Sequence, residues 1–181
     1  IETPAPSPGE VQIKVRAAAV NFPDLLQTRG EYQHKPPLPF IPGMEVAGEV
    51  SALSEGVTEF EVGDAVVGGA RIGGFSEYAI TPAAILRKKP ESLSFSQAAG
   101  YSTAYLTAYR LLFSAAVLRP GQSVLIQGAG GGVATASILL ARAAGLRVLV
   151  TSRSQAKAAR AAELGAHAVF GDGERIGEQV D

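Results

Sequence analysis

The 181-residue chain reads as an α/β protein in two parts, short strands at close spacing followed by strands and helices in alternation. Three observations carry that reading. Residues 10–16, Glu-Val-Gln-Ile-Lys-Val-Arg, alternate strictly between polar and apolar. Beyond residue 96 the apolar spacing lengthens from two toward the helical period. A buried-strand pattern then runs into three consecutive glycines and a helix of small residues, Val124-Leu-Ile-Gln-Gly-Ala-Gly-Gly-Gly-Val-Ala-Thr-Ala136.

In order, residues 10–16 form a half-buried strand. Residues 23–29 form a short helix closed by Gly30, with Asn21 available as its cap. Residues 46–53, 65–67, 75–80 and 84–87 are further short strands parted by glycine, proline or acidic turns. Together they suggest a β-barrel-like domain over 1–95. Residues 96–118 are largely helical, with Leu106, Tyr109, Leu112 and Phe113 at helical spacing. Then follow strand 122–127, helix 132–144, strand 147–151, helix 154–163 and a third strand near 167–170. This β-α-β-α-β series predicts a parallel sheet of the mononucleotide-binding type over 96–181. A full doubly wound domain has six strands, so the chain reads as truncated.

Composition narrows the function. The chain is 46% hydrophobic and 18% charged with a net charge of −1, and no basic block argues for nucleic acid. No apolar run reaches a membrane span. Cysteine is absent, which removes disulfides, thiolate zinc sites and cysteine nucleophiles and fits a reducing, cytoplasmic setting. His34 stands in a loop beside Lys35, and His167 lies near the third strand. Without a third ligand, no metal site is read. Glu45 and Asp64 read as caps or supports of barrel turns.

The glycine run is the clearest chemical signal. A phosphate can approach main chain only where side chains are missing, and the following helix offers unpaired N–H groups and a positive dipole end. Gly130, Gly131, Gly132 and Val133 are the candidate pyrophosphate contacts, against the plainer reading of a flexible turn. The second strand ends in Thr151-Ser-Arg-Ser154, where an NAD-binding chain usually places an acid. Ser152, Arg153 and Lys157 suit a 2′-phosphate and point to NADPH, although Lys157 and Arg160 could also simply face water at a helix start.

The order of these parts resembles the medium-chain dehydrogenase/reductase superfamily, and within it the zinc-free quinone oxidoreductase group. The residues that carry the likeness are Val20-Asn-Phe-Pro-Asp-Leu-Leu26, Arg29-Gly-Glu-Tyr32, Pro39-Phe-Ile-Pro-Gly-Met-Glu-Val-Ala-Gly48, Glu61-Val-Gly-Asp-Ala-Val66, Gly74-Phe-Ser-Glu-Tyr78, Thr103-Ala-Tyr-Leu-Thr-Ala-Tyr109 and Leu118-Arg-Pro-Gly-Gln-Ser-Val-Leu125. The resemblance implies a GroES-like barrel joined to a Rossmann domain, here only its first half. It places the glycine register at Ala129-x-Gly131-x-x-Ala134. Zinc ligands of the superfamily's alcohol dehydrogenases fall by position on Asn21, Met44 and Ala99, none a strong zinc ligand.

The activity implied is zinc-independent hydride transfer from NADPH to a quinone or α,β-unsaturated carbonyl, with a small-molecule substrate and a homodimer as the expected assembly. The alternatives are an enoyl-thioester reductase, alone or as a synthase domain, and a non-catalytic, crystallin-like NADPH-binding protein. By the same resemblance Tyr32 would orient or protonate substrate, against the alternative of a ring packed under the loop Lys35-Pro-Pro-Leu-Pro39. Asn21 would meet the nicotinamide ribose or carboxamide, or only cap the helix after it. Thr107 would meet the nicotinamide half, or bond its own helix backbone.

Overall fold

The computed structural model describes residues 3–171, and contacts divide the chain into two compact units after Thr103. The end of the domain expected over 96–181 lies outside the described residues. In the first unit, β1 (Glu10–Ala18), β2 (Glu45–Leu53), β3 (Ala65–Gly69), β4 (Tyr78–Pro82) and β5 (Leu86–Lys88) build one antiparallel sheet in the order β4-β1-β2-β3-β5. The register of β1 on β2 slips at Gln12/Ile13 and again between Val15 and Ala17. Such bulges bend and twist a strand, and this sheet is curled into a half-barrel. Val11, Ile13, Val46, Val50, Val66 and Leu86 fill its interior.

Two elements depart furthest from the sequence reading. The strand expected at 75–80 begins at Tyr78, because Gly73 to Ser76 turn back on themselves through Ser76 N–H to Gly73 C=O. The strand expected at 84–87 is a single 3-10 turn, Ala83–Ile85, leading into β5. Helix α1 (Phe22–Thr28) has Asn21 as its N-cap residue.

The helical stretch expected over 96–118 is broken. Helix α2 (Phe95–Ala99) starts from Ser94, whose hydroxyl accepts Gln97 N–H while Gln97 reaches back to the Ser94 N–H. It packs Ala98 and Ala99 on Ala47 and Val67 of the half-barrel. Gly100 ends it, and α3 (Ser102–Tyr109) follows, running into a π-helical turn at Arg110–Ala115. Of the four apolar residues at helical spacing, Leu112 is buried, whereas Leu106 and Tyr109 are exposed.

In the second unit, β6 (Ser123–Gln127), β7 (Arg147–Thr151) and β8 (Ala168–Phe170) form a parallel sheet in that order. Helices α4 (Gly132–Ala143) and α5 (Gln155–Glu163) connect them. Ile126, Ile138, Val148, Val150 and Ala161 make its core. His167 is structural, its Nδ1 accepting the Val148 N–H at 2.9 Å.

Gly48 faces Val15 across the first ladder, and a Cβ there would sit 2.2 Å from the Lys14 carbonyl oxygen. Main chain cannot yield as a side chain can. Gly48→Ala is therefore expected to lower stability by at least about 2 kcal/mol, read as the midpoint of chemical unfolding. Asp64 accepts the Glu61 N–H and pairs with Lys88 at 2.9 Å, and these contacts, the backbone bond first, hold its carboxyl below the usual range. A depressed folded pKa stabilises above the unfolded value and is lost as pH falls through the folded one. Asp64→Asn should thus flatten the acid limb of the stability profile, leaving its neutral region with the smaller slope change.

Candidate cofactor and substrate site

The loop from β6 to α4 is held by the end of β7. Gly128 N–H donates to the Thr151 hydroxyl at 3.1 Å and Ala129 N–H donates to the Thr151 carbonyl at 2.9 Å. Between them the chain must take left-handed turns, with φ of +84° at Gly128 and +102° at Gly130, a region that favours glycine. Gly131 is the N-cap residue of α4, extended at φ −89°, and gives the helix no capping side chain. A Cβ at Gly131 would meet nothing within 4 Å. The first-turn N–H groups of Gly132, Val133 and Ala134 therefore lie at a helix start that no side chain caps among the described residues. That open ground is what a pyrophosphate needs.

Lys157 is brought to this loop. A Cβ on Gly130 would lie 2.7 Å from Lys157 Cδ and 2.8 Å from its Cγ, so the lysine stem lies directly on the glycine backbone. Lys157 itself is set by Ser154, the N-cap of α5, whose hydroxyl accepts the Lys157 N–H. Ser152 is spent on the turn, its hydroxyl donating to the Ser154 carbonyl at 3.0 Å and accepting the Ser154 N–H at 3.2 Å. Arg153 is exposed in that turn. Neither Arg153 nor Lys157 has an ion pair among the described residues, whereas Arg160 is paired with Glu163 at 2.8 Å. No acid follows the end of β7; Arg153 stands in the turn after it and Lys157 in the first turn of α5.

A cavity of ≈ 550 Å³ in this unit runs beside β6, bounded by Leu112, Leu118, Val124 and, at one end, Gly131 to Val133. Thr107 lies exposed on α3.

In the first unit, Asn21 is not a free amide. Its Nδ2 donates to Glu45 Oε2 at 2.9 Å, and its backbone N–H donates to Asp24 Oδ2 at 2.7 Å. The cap of α1 is thus built from Asp24 backward. Glu45, 1% exposed, also accepts the Thr103 N–H on Oε1 at 2.7 Å. Sequence reading missed this hub. The signal was an acid inside the apolar run of β2, which must find donors to be buried at all. Tyr32 is half-buried, and its phenol makes no hydrogen bond among the described residues. A cavity of ≈ 920 Å³ in this unit is lined by His34, Pro37, Phe40, Arg71, Phe75 and Tyr78, and neither Asn21 nor Tyr32 borders it.

Comparison with known proteins agrees with this architecture. Residues 7–91 match the alcohol dehydrogenase GroES-like domain. The human quinone oxidoreductase is 40% identical over 171 residues, 94% of this chain and 52% of that protein. The chain belongs to the medium-chain dehydrogenase/reductase superfamily, in its quinone oxidoreductase group. Among solved structures, the quinone oxidoreductase of Thermus thermophilus, described together with its complex with NADPH, superposes with a TM-score of 0.82 at 37% identity, covering 93% of this chain and 53% of that one. The CurK enoyl reductase superposes with a TM-score of 0.87 at 31% identity, covering 96% and 55%. The chain spans about half the length of the curated relatives it matches.

The contact between Gly130 and Lys157 has a measurable signature. Gly130→Ala should destabilise by roughly 1–3 kcal/mol, from left-handed strain and from the displaced lysine stem. Lys157→Ala removes the second part only. In chemical denaturation the two substitutions should therefore be non-additive, the pair costing less than the sum of the singles.

Proposed function

We propose that the protein is a metal-free oxidoreductase that passes hydride from NADPH to a quinone or an α,β-unsaturated carbonyl. The observation that carries this reading is the lysine stem on the glycine loop, with no acid at the end of β7. The relatives support a nicotinamide oxidoreductase, one of them being described in complex with NADPH.

The bound nicotinamide would supply the hydride. The chain's own work is binding, orientation and a proton. The amides of Gly131, Gly132 and Val133, with Gly130 shaping the loop, receive the pyrophosphate at the start of α4. Arg153 and Lys157 hold the 2′-phosphate, with Ser152 fixing the turn that presents Arg153. Asn21 and Thr107 meet the nicotinamide half. The Tyr32 phenol donates to the carbonyl oxygen as charge builds there, a role an enone needs more than an already electrophilic quinone. Zinc chemistry is not part of this reading, because Asn21, Met44 and Ala99 supply no thiolate or imidazole. We take the setting as cytoplasmic and the assembly as a homodimer.

An enoyl-thioester reductase is the second reading, favoured by the likeness to the CurK enoyl reductase. Tyr32→Phe separates the acceptors. With an enone or enoyl thioester, kcat should fall by about a hundredfold while NADPH affinity holds, and with a quinone it should change little. Unchanged turnover on every acceptor would remove Tyr32 from the mechanism.

Cofactor choice is tested by titrating the full-length protein with NADPH and NADH. NADPH should bind at least about tenfold more tightly, and Arg153→Ala combined with Lys157→Ala should abolish that preference by weakening NADPH alone. Equal affinities in the wild type would defeat the 2′-phosphate assignment. Binding of NADPH without turnover over a panel of quinones and enones would instead support a binding protein.

A further inference from the structure

Val148 is fully buried, so its main-chain N–H needs an acceptor inside the protein. The ladder between β7 and β8 begins only at Leu149 and Ala168. Just before it the His167 imidazole stands in for a strand carbonyl, with Nδ1 accepting the Val148 N–H at 2.9 Å. The His167 main-chain N–H donates back to the Val148 carbonyl at 2.7 Å. A main-chain N–H can only donate, so Nδ1 carries no proton here and the ring proton sits on Nε2. The opposite flip of the ring would set a carbon before that N–H. The main chain thus assigns both the flip and the tautomer.

Nε2 is therefore a donor, and the group beside it is a donor as well. Arg142 Nη1 lies 3.1 Å from Nε2. A guanidinium has no acceptor to offer, so this approach is two N–H groups confronting one another and not a hydrogen bond. The arginine is held in that position by packing. It leaves the last turn of α4, and its stem crosses the main chain of Gly165. A Cβ on Gly165, which is left-handed at φ +103°, would lie 2.7 Å from Arg142 Nε and 3.2 Å from its Cδ. No acid pairs with Arg142 among the described residues. A cation in a last turn also answers the carbonyl end of its helix. That accounts for the charge of Arg142, but not for its aim at a second donor.

We propose that Arg142 and His167 form a binding site for a phosphate group. An acceptor set between the two side chains turns their confrontation into a pair of converging hydrogen bonds. Phosphate suits the donors better than carboxylate. The guanidinium fork offers two parallel N–H groups and the imidazole a third, and a phosphate group has three terminal oxygens where a carboxylate has two. The site belongs to the second unit alone. It lies about 15 Å along α4 from the glycine loop, at the opposite end of the helix, so it is separate from the dinucleotide site and stands whether or not that reading holds.

Nitrogen-15 resonance of labelled histidine and arginine side chains in the full-length protein reads both donors. His167 should show the Nε2–H tautomer, and the Nδ1–H tautomer overturns the premise. Inorganic phosphate, glycerol phosphate and acetate are then added at constant pH and ionic strength. Inorganic phosphate should shift the His167 and Arg142 signals together and saturate with a dissociation constant of roughly 1–10 mM, as expected of an exposed site. An equal response to glycerol phosphate makes a phosphate monoester the ligand, whereas a response to inorganic phosphate alone makes it the free ion. Acetate should bind at least about tenfold more weakly, and equal binding overturns the choice of phosphate. Arg142→Gln should melt close to wild type and abolish the His167 shift. His167→Asn keeps an oxygen for the Val148 N–H but no donor in place of Nε2, and should weaken phosphate at Arg142 by about tenfold or more. Unchanged affinity in either variant overturns the proposal, as does a response that never saturates. Should His167→Asn fail to fold, Arg142→Gln decides alone.

Discussion

The second unit is organised around a stretch of main chain that has to turn left-handed between a strand and a helix while carrying no side chain larger than the Ala129 methyl. Thr151 holds one side of that stretch through two hydrogen bonds, and Lys157 covers another with its stem. The glycines are thus not interchangeable. Gly128 and Gly130 are needed for their backbone angles, Gly131 for the empty space beside the helix tip. Glycine at an N-cap costs only roughly a few tenths of a kcal/mol against a serine, aspartate or asparagine, so the helix tip is left without a capping side chain at little expense in stability.

The half-barrel shows the same economy in a different form. Its strands close on one another at Gly48, where two main chains approach within the distance a single methyl would occupy. Just before that closure lies Glu45, whose buried carboxyl accepts from the Asn21 amide beside α1 and from the Thr103 N–H at the start of α3. Asn21 and Thr103, both outside the sheet, are thus tied to a fully buried position of β2. A site built on a packed strand keeps its geometry better than one carried by a loop.

Much of this was legible in the sequence, for identifiable reasons. Period-two alternation revealed β1, and short apolar runs revealed β6 and β7, of which β7 is buried along Val148–Val150 while β6 keeps only Ile126 buried. The glycine run and the missing acid after β7 were visible because both depend on residue type alone. The breaks in the stretch 96–118 were overlooked although Ser94-x-x-Gln97 and Gly100 are local signals for the start and end of α2, whereas the π turn at 110–115 has no such signal. The Glu45 hub was hidden for a related reason. Asn21, Glu45 and Thr103 are far apart in sequence, and only the folded sheet brings them into one hydrogen-bonded group. The bracing of its own turn by Ser152 was hidden too, because a hydroxyl suited to phosphate is equally suited to holding a turn.

The central claim is that a phosphorylated dinucleotide sits with its diphosphate on the α4 tip and its third phosphate between Arg153 and Lys157. Phosphorus-31 resonance of NADPH bound to the full-length protein tests it most directly, because each phosphate reports its own surroundings. The expected result is displaced diphosphate signals together with a 2′-phosphate that stays dianionic well below its solution pKa of about 6, held there by two cations. A 2′-phosphate titrating as it does in free NADPH, beside unshifted diphosphate signals, would contradict the account.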